Sequence, residues 1–448
     1  MLKRKIDRRI REYYASEKGA LLVTGARQIG KTFSIREFGK TFKNFIEINF
    51  IANPEAADAF KSVRTAKQFL LRLSAMTTIP LEKRKTLVFF DEVQSCPEIV
   101  TAIKFLVEEG SYRYILSGSL LGVELKDLRS EPVGYMDIAE MFPLDFEEFA
   151  KNTGVPEKIW ETIKTAWEQR VPVDAFVHEK MMELFRLYLV VGGMPAAVMR
   201  YLETSNLQQV MSVQRAILRM YKRDIAQYDP ENKLYIEEIF ELIPPELNAK
   251  NKRFILKRLN ENAKFKRYEN SFLWLKNAGV ALPVYNAEEP KIPLLLARSR
   301  NLFKLFQSDV GLLACQYAEG IQLKIITNDK NINFGAVFEN AVAQELFAHG
   351  FTPYFYNSKK RGELDFMLEI NGAVLPIEVK SGKDYEIHRA LSNILDCGEY
   401  VIPEAIVLQN GNVHRKGKIL YAPIYMVAFI RKKESAPAFY SVDLSVLR

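Results

Sequence analysis

Cysteine is scarce in this chain, and what there is stands apart. Cys96, Cys315 and Cys397 form no CxxC pair, which argues against a zinc site or a disulfide framework, and reduced, buried thiols in a cytoplasmic protein are expected. Histidine is as thin. His178, His349, His388 and His414 are dispersed, and none has a serine or cysteine partner at motif spacing, which argues against a histidine-based hydrolase. Long apolar runs are missing too. The most hydrophobic segment, FRLYLVVGGMPAAVM over 185–199, carries Arg186, Gly192 and Gly193 and falls short of the roughly 18 apolar residues of a membrane span. The N-terminal MLKRKIDRRIREYY is charged throughout and lacks the apolar core of a signal peptide. A cytoplasmic protein with no membrane partner is the expectation. No internal repeat or low-complexity tract appears.

What is present is ordinary in bulk. Hydrophobic residues make up 48% and charged residues 26% of 448, enough for two or three domains with their own cores. The 63 basic and 55 acidic residues leave a net charge of +8. That mild excess permits contact with nucleic acid or anionic ligands and equally suits a soluble protein with scattered lysines.

From about residue 20 to 140, short apolar runs (LLVTG, NFIEINF, TLVFFDEVQ, YRYILSGS) alternate with helical patterns. This argues for a parallel sheet covered on both faces. One helix is bracketed by Pro97 and Gly110. Within LLVTGARQIGKT, Gly25-Ala26-Arg27-Gln28-Ile29-Gly30-Lys31-Thr32 fits GxxxxGK[ST], with a strand before it and a helix, starting at Lys31 and Thr32 and continuing through Phe33, after it. Glycines let backbone amides turn inward around a phosphate, and the helix N-terminus adds partial positive charge. Lys31 suits the β- and γ-phosphates, and Thr32 suits Mg²⁺. ATP with Mg²⁺ is the expected ligand, bound by residues 25–33. TLVFFDEVQ ends a strand on Asp91 and Glu92. A carboxylate at that edge faces the ligand crevice. Asp91 is the candidate to hold Mg²⁺ through water, and Glu92 to polarise the attacking water. Ser117, rather than Ser119, is the candidate γ-phosphate sensor at the end of YILSGS.

LLVTGARQIGKT, EINF, LVFFDEVQ, ILSGS and FPLDFEEF resemble, in order, the AAA+ and STAND-like P-loop ATPases, in particular a widespread prokaryotic group of ATP-binding proteins. YLVVGGMPAAV, YKRDI, GAVFEN and ELDF…IEVK extend the resemblance along the whole chain. It implies an arginine finger after Gly134, where this chain has Tyr135, with Arg129 and Arg223 as substitutes. It also implies a helical lid over the nucleotide.

The middle is helical: KIWETIKTAWEQR, EKMMELFRLYLVVGG ending at Gly192-Gly193-Met194-Pro195, and LQQVMSVQRAILRMYKRDIAQY. Over 234–310, three helical patterns followed by short strands suggest a winged helix, and the resemblance implies the same. Lys250, Lys252, Arg253, Lys257, Arg258, Lys264, Lys266 and Arg267 cluster there. They suit a DNA backbone, although many winged helices only pack against protein.

In the last segment, NINFGAVFENAVAQELFAHGF reads as a helix, with Val337, Phe338, Ala341, Val342 and Leu346 on one face and Glu339 bordering it. LDFMLEI, Asn371-Gly372 and AVLPIEVKSG read as a hairpin. Pairing about the turn sets Asp365 opposite Glu378, with Lys380 on the same face as Glu378. Close carboxylates call for a cation. Asp365, Glu378 and Glu339 are candidate ligands for Mg²⁺ or Mn²⁺, and Lys380 a candidate to act on a water aimed at a phosphodiester. Asp365…Glu378-Val379-Lys380 resembles the PD-(D/E)xK nuclease pattern, which is short and also common in ordinary hairpins. Such folds serve as inert binding modules as well.

The expected architecture is therefore α/β. A P-loop ATPase unit spans 1–175, a helical lid 176–232, a winged-helix-like unit 233–328 and a restriction-endonuclease-like α/β unit 329–448. The expected function is Mg²⁺-dependent ATP hydrolysis coupled to a nuclease-like unit that acts on or binds nucleic acid, with an oligomer possible. Two alternatives stand beside it: an ATP-controlled switch with an inert C-terminal unit, and a nucleic-acid-binding ATPase.

Overall fold

The computed structural model of the chain describes residues 2–63, 65–118, 134–228, 233–249, 252–259, 265–329, 334–382, 386–432 and 440–442. Ser119, Arg129, Lys250 and Lys264, and the side chain of Lys266, lie outside the described residues.

The early apolar runs form five strands: β1 (Ala20–Thr24), β2 (Asn44–Asn49), β3 (Thr86–Asp91), β4 (Arg113–Gly118) and β5 (Met136–Glu140). They make one sheet in the order β2-β3-β4-β1-β5, parallel throughout. All six residues of β3 are buried, as an apolar run covered on both faces must be. Alternation divides the sheet. Leu22, Val88, Phe90 and Leu116 face one core, while Leu21, Val23, Leu87, Phe89 and Ile115 face another.

Helices Phe146–Asn152, Glu157–Gln169, Ala175–Val191, Pro195–Thr204 and Leu207–Tyr228 follow. The boundary expected at 175/176 falls in the first turn of the third, which the Asp174 carboxylate caps.

Next come helices Lys233–Asn248 and Phe265–Asn277, then strands β6 (Ala281–Ala287), β7 (Arg298–Gln307), β8 (Tyr354–Ser358), β9 (Gly362–Ile370), β10 (Ala373–Val379), β11 (Ala405–Gln409), β12 (His414–Lys416) and β13 (Ile419–Pro423). These eight strands form a single mixed sheet ordered β12-β13-β11-β10-β9-β8-β6-β7. Of the three helices expected for a winged helix, two are present among the described residues, with a single short turn, Leu256–Arg258, between them, and the hairpin that follows does not project. β6 pairs in parallel with β8, so β6–β7 is the edge of the second sheet. The boundary expected at 328/329 falls between β7 and β8, two strands of this sheet.

The helix Gly335–Ala348 packs against β7, β10 and the turn Ile424–Phe429. Its residues Ala336 to Leu346 are all buried, Glu339, Asn340, Gln344 and Glu345 included. One apolar cluster runs from Leu2 through the inner face of the first sheet and the helices to Phe303, Phe366 and Ile377 of the second. The two sheets thus share a core. Among the described residues, no helix is long and apolar enough to cross a membrane.

Candidate nucleotide site and C-terminal carboxylate cluster

The β1 strand ends in a loop of left-handed residues. Gly25 has φ 136°, Gln28 65° and Gly30 94°. A Cβ on Gly25 would come within 2.1 Å of the Met141 carbonyl, so only glycine fits there. Ala26 and Ile29 point into the core, which leaves the backbone of the loop for a ligand. Lys31 opens the helix Lys31–Gly39. Its Nζ donates to the carbonyls of Gly25 (2.9 Å) and Ala26 (2.7 Å). Burial holds the Lys31 ammonium down to about 8, with Glu92 and Asp91 partly restoring its charge.

Asp91 ends β3 and lies next to β4, whose Ser117 hydroxyl donates to Asp91 Oδ1. Thr32 Oγ1 donates at 3.2 Å to Asp91 Oδ2, and Asn49 Nδ2 does so at 3.0 Å. Burial raises the Asp91 carboxyl, against these donors. Glu92 sits in the left-handed region at φ 57°, a strained conformation for a non-glycine residue at a strand end. It accepts from Gln94 Nε2 at 2.5 Å.

A cavity of about 1310 Å³ opens over this group, above the usual range of ligand pockets. Lys31, Thr32, Glu92 and the half-exposed Phe33 line one side. Pro195, Ala196, Met199 and Met220 line the other, so the helices after Gly192-Gly193 cover the loop. Gly193 lies tight against the segment after β5: a Cβ there would meet the Leu144 carbonyl at 2.1 Å. Arg27 leaves the loop toward helix Leu207–Tyr228, 2.5 Å from Asp224. Tyr221 of that helix donates to the Arg27 carbonyl at 3.2 Å.

Sequence reasoning missed Asn49 and Arg4. The Arg4 guanidinium donates to the Ile29 and Phe142 carbonyls at 2.8 and 2.7 Å and to Glu148 at 3.1 Å, bracing the loop from outside. No periodicity reveals such a contact. Tyr135, where the resemblance implies an arginine, donates to Glu108 at 2.7 Å; Arg223 is exposed beside Asp224.

In the second sheet the hairpin register is the one expected. Ile370 faces Ala373 and Phe366 faces Ile377 across the Asn371-Gly372 turn, which brings Asp365 and Glu378 together. Asp365 Oδ2 accepts from the Val379 amide at 2.9 Å, and Lys380 Nζ lies 3.6 Å from Glu378. Burial and the neighbouring Asp365 push the Glu378 carboxyl well up. Burial also acts on Asp365, but Lys304 and Lys252 outweigh it and hold that carboxyl below its ordinary value.

Both lysines come from outside the expected pattern. Lys304 of β7 is fully buried, 2.8 Å from Glu363, 3.7 Å from Glu339 and 3.8 Å from Asp365. Lys252 bonds Glu339. Expected on a DNA backbone, Lys252 is spent internally; Arg253 pairs with Glu363 (3.3 Å), Arg258 with Glu246 (3.1 Å) and Arg267 with Tyr235. Among the described residues, Glu339, Asp365 and Glu378 do not converge as a three-ligand group. The chain's own ammonium groups stand where a cation would. As arranged, the trio expected to hold Mg²⁺ or Mn²⁺ does not fit one.

Comparison with known proteins agrees with the first half of this geometry. Residues 17–150 match the family model of an AAA domain, and the first unit is an AAA-type P-loop domain. Residues 182–323 and 334–426 each match a domain of unknown function, DUF8612 and DUF4143. No curated protein matches the chain. Similar solved structures include a Walker-type ATPase, paby2304, of Pyrococcus abyssi (13% identity, covering 70% of this chain and 96% of that one, TM-score 0.42). Others are Orc1 of Aeropyrum pernix in complex with DNA (13%, 73% and 93%, 0.26) and domain III of the replication initiation protein DnaA of Thermotoga maritima (14%, 47% and 90%, 0.29). At these scores the likenesses bear on no functional conclusion.

Proposed function

We propose that the chain is an ATP-driven switch. It binds Mg²⁺–ATP on the loop Gly25–Thr32, hydrolyses it, and passes the nucleotide state through the helices of 176–232 to an output unit, 233–448, built on the second sheet. The observation that carries this reading is the gathering of Lys31, Thr32, Asp91 and Glu92 around one cavity roofed by Pro195–Thr204. In it, the amides of 25–33 receive the phosphates and Lys31 leaves the Gly25 and Ala26 carbonyls for the β- and γ-oxygens. The oxygen donors Thr32 and Asp91 suit Mg²⁺, which when bound neutralises phosphate charge. Asn49 and Ser117 orient Asp91, and Ser117 acts through that carboxylate. Glu92 orients the attacking water.

The charge-compensated cluster in the second sheet supports a binding role for the output unit. A second reading, metal-dependent cleavage of nucleic acid by Asp365, Glu378 and Lys380, has one observation in its favour. The three open onto a cavity of about 710 Å³ that Lys252, Arg253, Lys359 and Arg389 also line, a basic setting suited to a phosphate backbone. Phosphate release with and without DNA or RNA, run beside a gel for cut product, separates the two. Turnover without cleavage supports the switch; Mn²⁺-dependent cleavage lost in Asp365→Ala supports the nuclease. Absence of ATP turnover overturns the switch, and absence of cleavage overturns the nuclease.

A further inference from the structure

Asp145, Glu345 and His349 meet in the interior where the first unit packs on the second sheet. Asp145 caps the helix Phe146–Asn152. Glu345 and His349 stand four residues apart at the end of Gly335–Ala348. His349 Nε2 lies 3.4 Å from Glu345 Oε2 and 3.6 Å from Asp145 Oδ2, and the three atoms all fall within 4.8 Å of one another. The side chains of Glu345 and His349 are 0% exposed, and that of Asp145 4%.

The hydrogen bonds fix which way the ring faces. His349 Nδ1 is 2.8 Å from the Ile430 carbonyl. A carbonyl only accepts, so Nδ1 carries a proton there and Nε2 is the ring nitrogen that faces the two acids. Glu345 Oε1 accepts from the Phe146 amide at 2.6 Å and from Tyr188 at 3.2 Å, but Oε2 and His349 Nε2 have no hydrogen-bond partner. Buried polar atoms brought this close without a well-formed hydrogen bond are costly unless a proton or a cation lies between them.

Neighbouring side-chain cations reach Asp145 but not Glu345. Lys5 Nζ lies 2.5 Å and Arg431 Nη2 3.5 Å from Asp145 Oδ2, and Arg4 pairs with Glu148. Glu345 has no lysine or arginine partner among its ion pairs, only His349. Separations of 3.4 and 3.6 Å are long for an N–H···O bond. They are the edge lengths of a tetrahedron whose ligand bonds are about 2.0–2.2 Å.

We propose that Asp145, Glu345 and His349 form a structural site for a divalent transition-metal ion, zinc foremost, which ties the AAA-type unit to the second sheet. One imidazole nitrogen and two carboxylate oxygens suit zinc better than magnesium or calcium. The Nδ1–H to carbonyl bond is the outer contact that ligating histidines make. A cavity of about 280 Å³ borders the trio at Asp145, with Lys5, Glu148 and Ala348 also in its lining.

The test uses the full chain, stripped with chelator and kept in excess Mg²⁺ so that oxygen-only sites are occupied, then titrated with Zn²⁺ and Co²⁺. Wild type is expected to take up one more ion per chain than His349→Gln. Its Co²⁺ form should show tetrahedral visible absorption, and its melting temperature should rise on Zn²⁺ addition. In His349→Gln that rise disappears and affinity falls about a hundredfold or more. Equal uptake and equal melting response in the two proteins, or no uptake by wild type, overturns the proposal. Should the variant not fold, zinc-edge X-ray absorption of wild type decides: one imidazole nitrogen among oxygens supports the site, and a shell without imidazole overturns it.

Discussion

Arg27 Nη1 lies 2.5 Å from Asp224 Oδ1, so the third residue of the phosphate loop is bonded to a helix nearly two hundred residues away in sequence. The pair is partly buried and links the loop that would feel a nucleotide to the helix that covers it. Asp224→Asn is expected to destabilise the chain by about 1–3 kcal/mol, the scale of a hydrogen bond to a charged group. Urea denaturation checks this, and unchanged stability would show that the pair carries no load.

Lys31→Ala should abolish ATP turnover while far-UV circular dichroism stays unchanged. Glu92→Gln should keep nucleotide binding yet lose about 10²–10⁴-fold in kcat, the usual contribution of a group that handles a proton. Wild-type turnover in either variant rules out the assigned role.

Nucleotide affinity should depend on pH through Lys31. Its ammonium titrates at about 8 in the free protein, and a bound polyphosphate favours the charged form. Below pH 8 the charge is already present and affinity is flat. Above it, binding must take up a proton, and Kd should weaken by about tenfold per pH unit. Fluorescence titration at pH 7, 8 and 9 measures this; a flat profile refutes it, and Lys31→Arg should lack the dependence.

Asp309 gives a second pH signature, in stability. It accepts from the Gly193 and Leu312 amides at 2.5 and 2.9 Å, yet burial still lifts its carboxyl from 3.8 to about 6. The folded state therefore holds a proton that the unfolded chain has already lost. Stability from this residue is fully present below about pH 4 and declines by roughly 3 kcal/mol as pH rises to about 6. Asp309→Asn should flatten that decline in melts across pH 4 to 7.

Lys304→Met should be the most damaging single change in the second sheet. It removes a fully buried ammonium from among Glu339, Glu363 and Asp365 and leaves only the less buried Lys252 and Arg253 against their charge. The expected loss is about 3–5 kcal/mol, read by chemical denaturation. A near-neutral effect would mean that the acids are protonated in the native state.

The features set by neighbours in sequence were legible there. GARQIGKT announced its loop because glycine spacing and the flanking strand and helix are local, and Asn371-Gly372 announced the register of its hairpin for the same reason. Lys304 could not be read. Within LFKLFQ it looks like the outward residue of an alternating strand, and only the pairing of β6 with β8 buries it beside Asp365. Lys252 misled for a related reason: a basic run implies solvent or phosphate until the helix carrying Glu339 arrives beside it. The buried Glu345–His349 pair was equally silent, since its partner Asp145 lies far back along the chain.

The parallel bond between β6 and β8 also bears on how such chains recombine. β6 and β8 are joined through a connection of more than sixty residues, so this edge closes only after a long loop has formed. A chimera spliced at 329 would leave each parent with an open strand rim, and bare rims invite aggregation. Modular exchange of the last third is therefore penalised, and grafts that begin ahead of residue 281 should be the ones that stay soluble.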